Sequence, residues 1–143
     1  MEWWQVRRVA NALNGSTLLG LGAAVVTRAR VSRGPRGLLV ASGARLPARG
    51  AAAITFGDVV LTRHDLAWLR GRPRLLAHEE RHAWQYVACL GLPLLPLYAV
   101  SAGWSWLRGG DAAVHNPFER LAGLADGGYS TLSARERRRG SAP

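Results

Sequence analysis

The chain contains no lysine and only one cysteine, Cys89, among its 143 residues. A single cysteine cannot form an internal disulfide or a cysteine-based zinc cluster, so a small secreted scaffold held together by disulfides is excluded. The 19 basic residues are all arginine and outnumber the 9 acidic residues, which gives a formal net charge of +10. The absence of lysine beside abundant alanine, glycine and leucine indicates a bias toward GC-rich codons. We therefore do not take the charge as a sign of nucleic-acid binding.

The N-terminal segment lacks the features of a secretory signal peptide. Its apolar run covers only residues 18–26, the polar residues Asn11 and Asn14 come shortly before it, and no clear small-residue cleavage site follows. From these features we expect a cytoplasmic or membrane-associated protein.

A second apolar segment, residues 87–107, raises the question of membrane contact. It contains no charged residue, and its 21 residues are enough to cross a bilayer as a helix. Two prolines and two glycines interrupt it, which is more typical of a buried helical hairpin or of contact with a membrane surface. The sequence leaves both a span and a surface contact open.

Turn signals and apolar patterning predict an α+β chain that is mainly helical. We expect one domain over residues 1–130 and a flexible basic tail over 131–143. Within the domain, residues 1–50 form an N-terminal helix and an Arg/Gly-rich strand region, and residues 51–130 form the core of the candidate site. The predicted helices are 3–28 with a break near Asn14-Gly15, 66–69, 74–90, 96–108 and 117–126. The predicted strands are 38–41 and 51–62, where Gly57-Asp58 allows a bulge.

The segment LLAHEERHAWQY, residues 75–86, carries the strongest chemical signal. His78 and His82 lie four positions apart, so on a helix both imidazoles point to one side and can bind one metal ion. Glu79 lies about 100° around the helix from His78, where its carboxylate can reach a metal-bound water without being a ligand. This is the H-E-x-x-H pattern, in which two histidines bind zinc and the glutamate is a general base.

A zinc ion bound by two histidines needs a third protein ligand and one open position. The candidates after His82 are Asp111, His115, Glu119 and Asp126. Glu119 lies in the first turn of a predicted helix, where a carboxylate also suits the helix dipole. Spacing alone does not choose among the four.

An H-E-x-x-H helix followed by a glutamate on a later helix resembles the gluzincin branch of the zincin metallopeptidases. More narrowly, the motifs ITFGDVVLTR, LLAHEERHAWQY and NPFERLA are similar to those of small uncharacterised bacterial zincin-like domains, which pair an HE-x-x-H-x-x-Q helix with an NP-x-E helix. The resemblance covers about residues 51–129. It implies a small zincin-like domain with a short β-sheet or hairpin packed beside the motif helix, in which the strand at 53–62 matches the edge strand that lines the cleft.

The resemblance also implies roles for individual residues. His78, His82 and Glu119 match the zinc ligands, and Glu79 matches the general base. Gln85 lies on the same side of the helix as His82 and would then hydrogen-bond to a ligand without binding the metal itself.

Two further residues and one departure complete the comparison. His115 is a secondary candidate, either as an alternative third ligand or as a hydrogen-bond donor to the transition state. Tyr129 is a secondary candidate as a donor to the oxyanion. Many such helices have an apolar residue after the first glutamate, whereas this chain has Glu80-Arg81, which we expect to point to solvent.

The expected reaction is hydrolysis of a peptide bond in a peptide or protein substrate, with Zn²⁺ activating the water and Glu79 moving the proton. Two alternatives remain open. One is a zinc-binding domain without catalytic activity, and the other is a small membrane protein that places residues 87–107 in the bilayer.

Overall fold

The computed structural model of the chain describes residues 1–46 and 51–141. Over these ranges it combines α-helices with a four-stranded sheet, so the expected α+β class is confirmed. The helices are α1 Trp3–Leu13, α2 Ser16–Val26, α3 Leu66–Arg70, α4 Pro73–Ala88, α5 Leu94–Gly109, α6 Pro117–Ala122 and α7 Ala134–Gly140. The strands are β1 Arg30–Arg33, β2 Leu39–Ser42, β3 Ala53–Phe56 and β4 Val59–Thr62, and a 3-10 turn covers Pro35–Gly37.

The sheet has the strand order β1-β2-β4-β3, which leaves β1 and β3 at its edges. β1 pairs antiparallel with β2, β2 parallel with β4, and β4 antiparallel with β3. Helices α2 and α4 pack against the β3–β4 half of this sheet. Of the expected edge strand 53–62, only the part that forms β3 lies at the edge of the sheet, and it packs beside the motif helix α4.

Residues 51–62 form a hairpin, and the prediction of one continuous strand there is wrong. The chain reverses at Gly57, which has a φ of 57°, so that Phe56 pairs with Val59. A Cβ on Gly57 would lie 2.4 Å from the backbone nitrogen of Thr17 in α2. The turn is therefore forced both by the left-handed backbone and by the close approach of α2, neither of which the local sequence shows.

Helix α4 agrees closely with the predicted helix 74–90. Pro73 occupies its first turn, where a missing N–H costs nothing, and the chain leaves the helix after Ala88. Its contacts with α1, β3, α3 and α6 surround it on most sides. As a result His78 and Glu79 are almost completely buried.

The buried guanidinium of Arg7 fixes the position of α4 relative to α1. Arg7 of α1 is 0% exposed, and its Nε donates to Asp58 Oδ1 at 2.6 Å. Its other nitrogens donate to Glu80 Oε1 of α4 and to the carbonyl oxygen of Arg36, 2.7 Å away. Arg36 also binds the second oxygen of Glu80. One side chain thus joins α1, the β3–β4 turn, α4 and the 3-10 turn.

The expectation that Glu80 points to solvent is therefore wrong. Its side chain is only 14% exposed and bridges Arg7 and Arg36. Burial pushes the pKa of Glu80 up, but the hydrogen bonds from Arg36 and Arg7 outweigh it and hold this pKa below the ordinary value. Arg81 does lie toward the surface, where it binds Asp126 and the carbonyl oxygen of Ala122.

The C-terminal segment expected to be a flexible tail contains helix α7. Ser133 caps it by accepting from the backbone N–H of Glu136, whose side chain in turn accepts from the backbone N–H of Ser133. This reciprocal pair satisfies two backbone donors at the start of the helix, which explains why a helix can begin in a strongly basic segment.

Residues 87–107 do not form one helix, because α4 ends at Ala88 and α5 begins at Leu94. Within the described ranges, no single helix is both long enough and apolar enough to cross a bilayer. The pair α1–α2 meets the length and composition requirements together, with a bend of 74° between its two helices.

Replacing Arg7 should destabilise the fold strongly. Arg7→Met keeps the length of the side chain but leaves the carboxylate of Asp58 buried without its partner, which we expect to cost about 3–5 kcal/mol in the free energy of unfolding. Denaturant titration measures this loss. The matched control is Arg8→Met on the exposed side of the same helix, which should change the free energy of unfolding by less than about 0.5 kcal/mol. Equal losses in both variants would contradict a bracing role for Arg7.

Candidate metal centre

Three buried side chains from two helices converge on one point. His78 and His82 lie on successive turns of α4, and Glu119 lies in the first turn of α6. His78 Nε2 is 3.0 Å from His82 Nε2 and 3.1 Å from Glu119 Oε2, and His82 Nε2 is 3.4 Å from the same oxygen. This buried His-His-Glu group can hold a metal ion.

The backbone of α6 fixes which nitrogen of His78 faces the group. His78 Nδ1 lies 3.1 Å from the carbonyl oxygen of Ala122 and 2.9 Å from that of Gly123. Because both neighbours are acceptors, Nδ1 must carry the hydrogen, and Nε2 presents its lone pair to the group. Gly127 packs against the other side of the ring, where a Cβ would lie 2.5 Å from His78 Cε1.

Gln85 orients His82 in the same way. His82 Nδ1 donates to Gln85 Oε1 at 2.9 Å, and Gln85 Nε2 donates to the carbonyl oxygen of Phe118 at 2.8 Å. The second bond sets the amide so that its oxygen faces the imidazole. Gln85 therefore links α4 to α6 and leaves the lone pair of His82 Nε2 directed at the group.

Two contacts position Glu119, one near its backbone and one at its carboxylate. Its helix α6 is capped by the buried Asn116, whose side chain accepts from the backbone N–H of Phe118. The hydroxyl of Tyr98 in α5 donates to Glu119 Oε1, while Glu119 Oε2 has no hydrogen-bond partner among the described residues. Burial pushes the pKa of Glu119 up, but the imidazoles of His78 and His82 and the hydroxyl of Tyr98 hold it well below its ordinary value. Glu119 Oε2 is thus a charged, unsatisfied oxygen aimed at two imidazoles.

The geometry of the group fits a tetrahedral metal ion. Ligands placed about 2.0–2.1 Å from zinc at tetrahedral angles are separated by about 3.3–3.4 Å. The three separations here are 3.0, 3.1 and 3.4 Å. Three electron-pair donors at these distances repel one another unless a cation or a proton lies between them. Accordingly, although burial lowers the pKa of His82, Glu119 and Glu79 outweigh it and raise that pKa above its ordinary value.

Glu79 adds a second carboxylate beside the group without belonging to it. Its side chain is buried between α4 and the sheet, where Glu79 Oε2 accepts from the hydroxyl of Thr55 in β3 at 2.6 Å. Burial raises the pKa of Glu79 above its ordinary value, and the nearby His82 and His78 only partly oppose the effect. A raised pKa makes the carboxylate of Glu79 a better proton acceptor than an exposed glutamate.

The remaining candidates lie at or outside the edge of the group. His115 precedes α6, and its ring lies near Gly109 at the end of α5 instead of among the ligand atoms. The ring of Tyr129 is 6.0 Å from that of His78, and burial raises the pKa of its hydroxyl, which keeps it protonated. Tyr98 and Tyr129 also line a cavity of about 170 Å³ with residues 111–114, Ser130 and Arg137.

Sequence reasoning missed three contributors to this site. Thr55 reads as an ordinary strand residue and Gly127 as a helix stop. Tyr98 reads as packing or as an alternative to Tyr129 as oxyanion donor, and not as a partner of Glu119. Each acts through a contact between elements that are far apart in the chain, such as β3 with α4 or α5 with α6. Among the residues that approach the two histidines from other elements, the NP-x-E pattern predicted Glu119. It gave no sign of Thr55, Gly127 or the contact of Tyr98.

Comparison of the chain with known protein families, with curated proteins and with solved structures finds no match. Its function must therefore be inferred from the geometry of the site.

Removing the Gln85 bridge should weaken metal binding without unfolding the protein. Gln85→Leu deletes the acceptor that orients His82 and the link to Phe118, and we expect the affinity for Zn²⁺ to fall about 10- to 100-fold. Competition with a fluorescent zinc chelator measures the affinity. Gln5→Leu, the same change on the exposed side of α1, should leave the affinity unaltered. An unchanged affinity in Gln85→Leu would remove Gln85 from the site.

Proposed function

We propose that the chain is a zinc-dependent hydrolase, and specifically a metallopeptidase of the zincin type. The observation that carries the proposal is the convergence of His78 Nε2, His82 Nε2 and Glu119 Oε2 at tetrahedral spacing, with both imidazoles oriented by acceptors behind them. Two imidazoles and a carboxylate are a donor set that suits zinc, and three protein ligands leave a fourth position open for water or substrate.

Glu79 supports catalysis over a purely structural role for the metal. Zinc bound in this position would lower the pKa of a water to about 7 and polarise the substrate carbonyl. Glu79 accepts the proton of the attacking water and passes it to the leaving amine as the C–N bond breaks. The Thr55 hydroxyl binds Glu79 Oε2 and so leaves the other oxygen for the proton.

The surroundings of the site also favour a peptide substrate. β3 lies at the edge of the sheet beside α4, which is the arrangement that the resemblance to zincins implies. An edge strand has free backbone donors and acceptors, and an extended peptide can pair with them. The ring of Tyr129 lies 6.0 Å from that of His78, and its hydroxyl is the candidate donor to an oxyanion, because the hydroxyl of Tyr98 already donates to Glu119.

Zinc should co-purify at about one ion per chain. The stoichiometry should collapse in His78→Ala, His82→Ala and Glu119→Ala, because each removes one of three ligands. His115→Ala should keep its zinc, since its ring lies outside the group. Elemental analysis of the purified proteins measures the content. Absence of any transition metal from zinc-supplemented wild type would rule out the site, and loss of zinc in His115→Ala with retention in Glu119→Ala would transfer the third ligand to His115.

Replacing Glu79 should stop hydrolysis while the metal stays bound. Glu79→Gln keeps the size of the side chain but cannot accept the proton, so cleavage of an unstructured peptide should fall at least ~100-fold with normal zinc content. Hydrolysis of a mixed peptide library, followed by mass spectrometry, gives the readout.

Glu80→Gln is an unsuitable control because Glu80 belongs to the buried Arg7 network. The exposed Glu2→Gln makes the same chemical change far from the site and should retain full activity. If wild type binds zinc yet cleaves no peptide in the library, the chain is a zinc-binding domain without peptidase activity. An equal loss in Glu79→Gln and Glu2→Gln would show that Glu79 is not the base.

A further inference from the structure

Helix α1 buries polar side chains and exposes large apolar ones. Its buried residues are the polar Arg7 and Asn11, both 0% exposed. Four of its five large apolar side chains follow one another at spacings of three or four and point outward; they are Trp3, Val6, Val9 and Leu13, while Trp4 packs near Gly37. A helix of a globular protein normally buries its apolar stripe and exposes its polar side. The reverse arrangement leaves this stripe without a partner in the described part of the chain.

Helices α2 and α5 also expose large apolar side chains, and apart from Leu94 their buried residues are small. The buried residues of α2 are Ser16, Gly20 and Ala24, and its exposed ones include Leu18, Val25 and Val26. The buried residues of α5 are Leu94, Ser105 and Gly109, and its exposed ones include Leu97, Val100, Trp104 and Leu107. Small residues toward the protein and large apolar residues away from it are typical of helices that contact lipid.

Two uncharged segments that overlap these helices meet in the fold. Neither residues 9–27 nor residues 87–107 contain a charged side chain. They touch where Asn14, between α1 and α2, packs against Gly91, whose added Cβ would lie 2.8 Å from the Asn14 side chain. Leu13, Leu18, Leu90 and Leu92 are exposed around this contact. We call these four leucines, together with the outward side chains of α1, α2 and α5, the apolar face.

Leu90 gives an independent sign that this face has a partner. It follows the end of α4 with a φ of 58°, in the left-handed backbone where glycine is usual, and its side chain is 81% exposed. At an exposed position with this backbone conformation, glycine would stabilise the folded chain at least as well as leucine. Strain of this kind is typical of a residue that serves a contact outside the chain.

The charge around the apolar face indicates the chemistry of the partner. Exposed arginines, Arg8, Arg28 and Arg108, border the uncharged segments, and the formal net charge of the chain is +10. Trp104 and Trp106 precede Arg108, an arrangement typical of a membrane–water interface. An anionic bilayer offers both an apolar layer and negative headgroups. A second copy of the chain would instead bring another ten positive charges against the same arginines.

We propose that the chain binds the surface of an anionic phospholipid bilayer through its apolar face. This binding does not depend on the metal centre, so the test needs no activity. The full-length protein is sedimented with vesicles of phosphatidylcholine alone or mixed in equal parts with phosphatidylglycerol. Wild type should partition at least ~10-fold more strongly onto the anionic vesicles, and added salt should weaken this preference.

Two variants separate the apolar face from plain electrostatic attraction. Leu13→Ser combined with Leu18→Ser should weaken partitioning at least ~10-fold, because two exposed leucines no longer enter the bilayer. Leu90→Gly should weaken it about fivefold while the melting temperature stays equal or rises, because glycine relieves the left-handed backbone. That variant cannot lose binding through unfolding. Leu121→Ser, an equally exposed leucine of α6, is the control and should bind like wild type.

Three results would overturn the proposal. The first is no binding of wild type to anionic vesicles at low salt. The second is unchanged binding in both leucine variants, which would mean that the arginines alone attract the lipid. The third is a wild-type dimer in sedimentation velocity that the Leu13→Ser, Leu18→Ser variant abolishes without any effect on vesicle binding, which would make the apolar face a contact between copies of the chain.

Discussion

The arrangement of this fold depends on the buried guanidinium of Arg7. Removing an arginine from water is costly unless its nitrogens are hydrogen-bonded and its charge is balanced. Arg7 meets both conditions with Asp58, Glu80 and the carbonyl oxygen of Arg36, which belong to three different elements. Because the guanidinium is planar and its donors are fixed in direction, those elements can satisfy it in few relative positions. Helix α4 is therefore fixed against α1 and the β3–β4 turn before any metal is considered.

The consecutive glutamates of α4 show how this brace serves the site. Glu80 points to the side of the helix that Arg7 occupies, and Glu79, one residue earlier, points to β3 and the metal centre. His78 and His82 then face α6, where two backbone carbonyls and Gln85 commit their Nδ1 atoms as donors. The residues of the motif thus lie on three sides of one helix. One side is anchored by an ion pair, one carries the two histidines that can hold a metal ion with Glu119, and one carries the carboxylate of Glu79 beside them.

The sequence predicted the parts of this fold that depend on local pattern. The break at Asn14-Gly15, the span of α4 and the His-Glu-His spacing all depend on residues within a few positions of one another, and each prediction agrees with the structure. Contacts between distant segments were not predictable in the same way. The hairpin at Gly57 depends on the approach of α2, the burial of Glu80 depends on Arg7, and Tyr98 reaches Glu119 only because α5 packs on α6. An alternating apolar pattern predicts which residues are buried, but not which buried polar groups will meet.

Helix α5 connects the proposed catalytic site with the proposed membrane contact. On one side Tyr98 donates to the carboxylate of Glu119, and on the other Leu97 and Val100 are exposed to the surroundings. These residues are neighbours in the chain, so lipid bound to the outer side lies one helix diameter, about 10 Å, from the proposed zinc ligand. Displacement of α5 on lipid binding would move the Tyr98 hydroxyl relative to Glu119, and a carboxylate that loses this donor is freer to change its position at the metal. Helix α5 would in this way contribute both to the proposed hydrolytic site and to the proposed membrane contact.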